Sequence, residues 1–356
     1  MRVLQLIDSL NAGGAERIAV NFANALSAQI QYSGIVVTRK EGFLRNNLKN
    51  DVSYFFIKKS NSFDLKSILR FRKIIIENKI DIVHSHGTSF FTAFLVKLFY
   101  FKIKIVHHEH YGNRANQSFF QNIPLLFCCI FFNKIVVVNN QIEYWFHKKK
   151  FSKAIFFPNF AALETVNSES TILKGEAGKR IVCLANLKNP KNHTILLNAF
   201  HKSKIKNEGW SLHFVGKNYH NDYYNTILDL SIKLDIQDYL YIYDSKADVK
   251  NILSQATIGI LCSLSEGFPV TLLEYGLCNL PVIASNVGYC PEIIIDNETG
   301  FLFNPSSVEE LVVLLQKIIN DQNTARKLAS NLRQFVLNNF SEEVIIAKLI
   351  EIYKKI

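Results

Sequence analysis

Two carboxylates with seven residues between them, Glu266 and Glu274, sit in the stretch Ser265-Glu-Gly-Phe-Pro-Val-Thr-Leu-Leu-Glu274. An apolar run ends at Cys262, Glu266 and Gly267 form a turn, and Pro269 stands where a first helical residue is well tolerated. Glu266 therefore belongs to the loop before a helix, and Glu274 lies ~8 Å along it at 1.5 Å per residue. Between them the helix start, Phe268 to Thr271 with Val270 inside it, offers backbone N–H groups and a partial positive charge suited to phosphate. A nucleotide diphosphate at the helix start, a sugar hydroxyl at Glu266 and a ribose at Glu274 would use every group. The alternative is an ordinary helix start with one solvated glutamate.

This segment resembles the E-x7-E signature of the retaining glycosyltransferases of family 4, which have the GT-B fold. The resemblance implies that Glu266 contacts a donor sugar and Glu274 the nucleotide ribose, with Gly267, Phe268, Val270 and Thr271 on the donor. Other segments match along nearly the whole chain. Asn11-Ala-Gly-Gly-Ala-Glu-Arg17 is similar to the family's glycine turn, where Gly13 and Gly14 let backbone approach a phosphate or sugar. Cys183-Leu-Ala-Asn-Leu-Lys-Asn-Pro-Lys191 resembles the segment whose lysine pairs with the diphosphate, which implies that role for Lys191. Asn186 replaces the usual donor-binding arginine there, and Lys188 is a nearby cation. Ile105-Val-His-His-Glu-His110 resembles a strand ending in a histidine near the donor sugar, so His110 joins Glu266 and Lys191 as the expected catalytic set. Phe157-Pro-Asn159, Phe214-Val-Gly216, Pro291-Glu-Ile and Thr299-Gly-Phe add weaker matches.

No Asp-x-Asp pair occurs, so the helix start and Lys191 are expected to take the diphosphate with no metal and no cofactor beyond the nucleotide-sugar substrate. His107, His108 and His110 offer at most two metal ligands, because neighbours on a strand point to opposite faces. His84, His86 and His108 read as structural or loop residues.

The elements that must position these groups alternate. Continuous Val- and Ile-rich runs at 2–7, 34–38, 52–57, 81–85, 104–108, 134–138 and 154–157 read as strands buried on both faces, with helical spacing at 16–27, 64–78 and 88–100. The pattern restarts with strands at 180–185, 211–215, 239–243, 257–262 and 281–285 and helices from His193, Asp222, Asp248, Pro269 and Ser307. The expected fold class is α/β: two Rossmann-like doubly wound domains, GT-B, facing a central cleft. Residues 1–160 form the acceptor-side domain, 161–179 a polar linker and 180–340 the nucleotide-sugar domain. A helix over 341–356, with Val344, Ile345, Leu349, Ile352 and Tyr353 on one side, packs on either.

The 356 residues, 48% apolar and 20% charged, exclude a disordered or fibrous chain. The net charge of +11 is uneven: residues 1–160 hold 22 Lys and Arg against 9 Asp and Glu, a net +13, and the rest are at −2. No signal peptide is visible, and the longest apolar run, 124–132, falls short of the ~20 residues that span a bilayer. A cytoplasmic protein, peripheral at the inner face of the cytoplasmic membrane, is expected. The six cysteines read as buried free thiols. Lysines at 97, 102, 104 and 148–150 lie beside Leu98 to Phe101 and Tyr144 to Phe146, a pattern suited to an anionic membrane surface. Nucleic acid is not expected as a partner, since no recognition module is visible. Together these imply transfer of a sugar, from a donor linked to UDP or GDP, to a lipid-linked oligosaccharide or polysaccharide precursor, as in O-antigen, capsule or lipopolysaccharide assembly. Rival readings are a nucleotide-sugar 2-epimerase of the same architecture and a non-catalytic membrane-associated binding protein.

Overall fold

The computed structural model describes residues 1–11, 13–112, 114–160 and 171–356. The chain divides into two compact units, Met1–Asn159 with Glu342–Ile356, and Phe160–Ser341. Of the linker expected at 161–179, residues 161–170 lie outside the described residues, as does Ala12 of the glycine turn. Thr171 is anchored to the second unit, donating from its N–H and hydroxyl to the Asp248 carboxylate at 2.6 and 3.0 Å.

The first unit is built on strands β1 (Arg2–Ser9), β2 (Tyr32–Lys40), β3 (Ser53–Phe56), β4 (Ile82–His86), β5 (Lys104–Glu109), β6 (Lys134–Val137) and β7 (Ala154–Phe156). They form one sheet in the order β3-β2-β1-β4-β5-β6-β7, every pair parallel. Its helices are α1 (Gly14–Ser27), α2 (Leu65–Glu77), α3 (Phe90–Phe99), α4 (Phe119–Cys129) and α5 (Asn140–Lys148). The second unit has β8 (Arg180–Leu184), β9 (Ser211–Val215), β10 (Leu240–Tyr243), β11 (Ile258–Leu261), β12 (Val282–Ser285) and β13 (Phe301–Phe303), ordered β10-β9-β8-β11-β12-β13 and again all parallel. Helices α6 (His193–Ser203), α7 (Asp222–Lys233), α8 (Val249–Ser254), α9 (Val270–Leu277), α10 (Cys290–Ile293), α11 (Val308–Asn320) and α12 (Gln322–Phe340) complete it, and α13 (Glu342–Lys354) follows.

Sequence chemistry accounts for these elements locally. Every residue of β4, β9, β11 and β12 is buried, as strands covered on both faces require. Side chains of Asp64, Ser118, Asn139 and Ser307 accept N–H bonds at the starts of α2, α4, α5 and α11. In each sheet the chain moves outward from its first strand and then returns to that strand's other side. The carboxyl ends of β1 and β4, and of β8 and β11, therefore flank a topological switch point, where open α/β sheets bind ligands.

Helices α4, α5, α10 and α12 and strand β13 were not anticipated. In α13 the buried residues are Ile345, Ile346, Leu349 and Tyr353, whereas Val344 and Ile352 of the expected face are only half-buried. All six cysteines are free, and all but Cys278 are buried.

Candidate functional site

In the second unit β8 and β11 are neighbours, so the segments leaving them emerge together. The first contains Lys191 and the second Glu266. Lys191 Nζ lies 2.6 Å from Glu266 Oε1, and the Ser263 hydroxyl donates to the same oxygen at 2.6 Å. The Glu266 side chain is 9% exposed and that of Lys191 23%, so this pair keeps an open side. The two segments are stitched by Leu264 N–H to Pro190 O at 2.8 Å and by Cys262 Sγ to Lys191 O at 3.3 Å. Behind Glu266, Gly288 has φ +54°, and a Cβ there would fall 1.9 Å from the Glu266 carbonyl oxygen. Only glycine fits that close approach. The sequence reading missed Gly288, and its signal was a glycine just past the end of β12.

Helix α9 starts from Pro269, with no side chain capping it. Thr271 spends its hydroxyl on Leu184 O at 3.2 Å, the end of β8. Glu274, four positions into the helix, is buried. Next to it the Tyr275 hydroxyl accepts from Leu184 N–H at 2.8 Å and faces the carbonyls of Ile260 and Val182 at 3.1 and 3.3 Å, which pins the helix to both strands of the switch point. Phe268 packs with its ring centroid 5.1 Å from that of Tyr289 and 5.8 Å from that of Phe340, beside the half-buried Gly267 and Val270. Asn186 has a structural job: its Oδ1 accepts from Lys217 N–H at 2.9 Å, holding the turn at Gly216, where a Cβ would meet Ala185 O at 2.3 Å.

In the first unit Gly13 precedes α1 in extended backbone, φ −163°. A Cβ on Gly13 would meet only the flexible Glu16 carboxylate, and one on Gly14 nothing within 4 Å. Packing within the unit thus does not demand these glycines, and the space above Gly14 is open.

His110 directly follows β5, and a chain of hydrogen bonds holds it. His110 Nε2 lies 2.9 Å from His86 Nδ1, and His86 Nε2 lies 2.8 Å from Gln5 Oε1 on β1. An amide oxygen only accepts, so His86 Nε2 bears the proton, His86 Nδ1 accepts, and His110 Nε2 donates. His110 Nδ1 is then the acceptor left to a substrate. Burial holds the His110 pKa down at about 3, against the raising effect of Glu109 and with a smaller lowering by His107. Burial likewise pushes His84, His86 and His108 well below the usual imidazole range. For Glu109 burial works the other way, yet His107, Arg114 and the Tyr111 N–H keep it below its ordinary value, with Arg114 Nη2 at 2.8 Å.

Register explains why the histidines gather. His84 pairs with Val106 and His86 with His108 across β4 and β5, so His84, His86 and His108 bring ligand atoms within 4.8 Å of one another. The count of two metal ligands at most is corrected here: it considered one strand, and the neighbouring strand supplies the rest. Both His86 nitrogens are already bonded, so an ion held by all three rings would have to displace a partner of His86, whereas His84 Nε2 and both His108 nitrogens are buried without a hydrogen-bond partner among the described residues. These are buried strand residues, and His86 is the support of His110. Gln5, His86, Ser263 and Tyr275 were all missed as site residues.

Residues 12–160 match the family described as Glycosyltransferase Family 4, and residues 167–335 match Glycosyl transferases group 1. An uncharacterized glycosyltransferase of Haemophilus influenzae is 27% identical, over 97% of this chain and 96% of its own. A Campylobacter jejuni enzyme named as a GalNAc-alpha-(1->4)-GalNAc-alpha-(1->3)-diNAcBac-PP-undecaprenol alpha-1,4-N-acetyl-D-galactosaminyltransferase is 24% identical, over 96% and 97%. In fold, Anabaena HepE in complex with UDP superposes with a TM-score of 0.83 at 16% identity, covering 100% of both chains.

Proposed function

The chain belongs to the group 1, family 4 glycosyltransferases, and on that premise we propose that it transfers a sugar, with retention, from a UDP- or GDP-linked donor to a lipid-linked glycan precursor in bacterial surface-glycan assembly. The observation that carries this reading is the Lys191–Glu266 pair beside the uncapped start of α9, with Glu274 buried in the same helix. A diphosphate arriving at the helix start gives Lys191 a second anion to serve. Its ammonium then moves onto the phosphate that gains charge as the sugar leaves, and the freed Glu266 carboxylate accepts from a sugar hydroxyl. The bond between the anomeric carbon and the diphosphate breaks, the acceptor oxygen bonds to that carbon on the same face, and the acceptor proton passes to the departing phosphate oxygen. His110, neutral and with Nδ1 open, accepts from a sugar hydroxyl. The chemistry assigned to Lys191 and the helix start needs no metal.

The lipid-linked acceptor and the membrane surface are supported by the +13 charge of residues 1–160 and by relatives whose names specify undecaprenol-linked acceptors, such as the Campylobacter enzyme and an Escherichia coli galactosyltransferase, 21% identical. A thermal-shift panel of UDP-, GDP- and ADP-sugars, then mass and anomeric analysis of the product on a polyprenyl-diphosphate acceptor in chelator, tests the reading. Stabilisation by one nucleotide sugar and a product of retained configuration are expected. An inverted product, or a chelator-sensitive one, overturns the mechanism, and 2-epimerised donor without acceptor overturns the activity.

A further inference from the structure

A helix on the outside of a water-soluble unit shows its charged side to solvent. Helix α4 does the opposite. From Ala115 to Asn133 the sequence has no Asp, Glu, Lys or Arg. Its buried side is Asn122, Leu125, Cys128 and Cys129. On the solvent side Phe119 is 59% exposed, Phe120 80%, Ile123 41%, Phe127 53% and Ile130 61%. At 100° per residue these five fall on one arc, so the exposed face is as apolar as the buried one.

The patch continues beyond the helix. Helix α3 packs against α4 and joins it through Phe94, whose ring centroid is 5.6 Å from that of Phe127. The end of α3 and the turn after it expose Leu98, Phe99 and Phe101. Cations frame the face. Lys149 Nζ sits 5.5 Å from the Phe119 ring at one end of α4, and Lys153 Nζ donates to the Ile130 carbonyl at 3.0 Å at the other. Lys102 lies exposed in the turn after α3. Residues 97–160 carry nine Lys and Arg against Glu109 and Glu143, and Glu109 is neutralised internally by Arg114.

We propose that this face of α4, with the Leu98–Phe101 turn, is the surface that seats the chain on an anionic lipid bilayer, the aromatic side chains entering the headgroup boundary and the lysines meeting lipid phosphates. The inference deepens the membrane reading above by naming the element that performs it. No described helix is long and apolar enough to cross a membrane, so the contact is interfacial. A bilayer suits the patch better than a second copy does. A two-fold contact through this face would oppose the same lysines, whereas acidic headgroups neutralise them.

The test is flotation of the full chain with vesicles of phosphatidylcholine alone or with about 30% phosphatidylglycerol. Binding to the anionic vesicles only is expected, weakening as salt is raised. Phe120→Ser with Ile123→Ser removes two exposed side chains and should reduce binding by about tenfold or more, with the melting temperature unchanged. Lys149→Gln alone should weaken binding less and flatten its salt dependence. Equal binding to both vesicle types, no binding, or unaltered binding of the double variant overturns the proposal. So does a dimer seen by light scattering that the double variant dissociates. Transfer to a water-soluble acceptor analogue separates the two readings: vesicle binding without transfer leaves the docking surface standing and removes the activity, and transfer without vesicle binding does the reverse.

Discussion

At the carboxyl ends of β4 and β5 the first unit gathers four imidazoles held neutral by burial, whereas at the ends of β8 and β11 the second gathers an ammonium, a carboxylate and two hydroxyls. Both arrangements sit at the carboxyl ends of parallel strands, one at the switch point and the other beside it, and each fits a different task. Neutral rings with a fixed proton pattern orient hydroxyl groups and add no charge. The ion pair stores two opposite charges that an incoming diphosphate can separate. On the proposed function, the difference teaches that similar topology can allot the recognition of neutral hydroxyls to one unit and the handling of charge to the other.

The comparison breaks most visibly on acidification. The folded pKa values of His84, His86, His108 and His110 lie below the ~6.5 of an unfolded histidine. The unfolded chain therefore takes up protons first, and stability present above pH 6.5 is lost as pH falls toward the folded values. Each ring contributes a loss of about 1 kcal/mol by one pH unit below 6.5. In the second unit His213, held at about 4, is the counterpart. The only two tryptophans, Trp145 and Trp210, fall one in each unit. Denaturant titrations of the Trp145→Phe and Trp210→Phe variants between pH 7 and 5.5 should show the first unit weakening several times more than the second. Equal slopes would show that the imidazole stack does not set the difference.

Next in size is Lys191→Ala, expected to lower kcat about 10²- to 10³-fold with a smaller change in donor affinity. A purely structural lysine would instead lower the melting temperature and leave the rate of the surviving enzyme intact. Tyr275→Phe removes the hydroxyl shared by Leu184, Ile260 and Val182 and should destabilise the second unit by about 1–3 kcal/mol, read from the unfolding midpoint followed by Trp210. The smallest effect sharpens the tautomer argument. Gln5→Glu keeps an acceptor toward His86 and should retain most activity near neutral pH, whereas Gln5→Met frees the His86 proton pattern and should lower kcat about tenfold. Identical rates for the two variants would remove Gln5 from the chain of influence on His110.

Much of this was legible in the sequence because strands buried on both faces are written as unbroken runs of Val and Ile, and because glycine, proline and glutamate near α9 have individual chemical meanings. What stayed hidden depends on distance along the chain. Lys191 and Glu266 are 75 positions apart, and their contact follows from the pairing of β8 with β11. His86 meets His110 for the same reason through β4 and β5. Helix α4 was hidden differently. Periodicity finds a helix by contrast between its faces, and Phe119, Phe120, Ile123 and Phe127 remove that contrast. The property that concealed the helix is the one that suits it to lipid.

The chain leaves the first unit after Asn159 and rejoins it at Glu342, where α13 brings Tyr353 to His84. During synthesis, residues 342–354 emerge only after all of the second unit has been made. The second unit can therefore close while the histidine-bearing sheet still waits for one of its helices. Ribosome-bound chains should mature in the reverse of their sequence order.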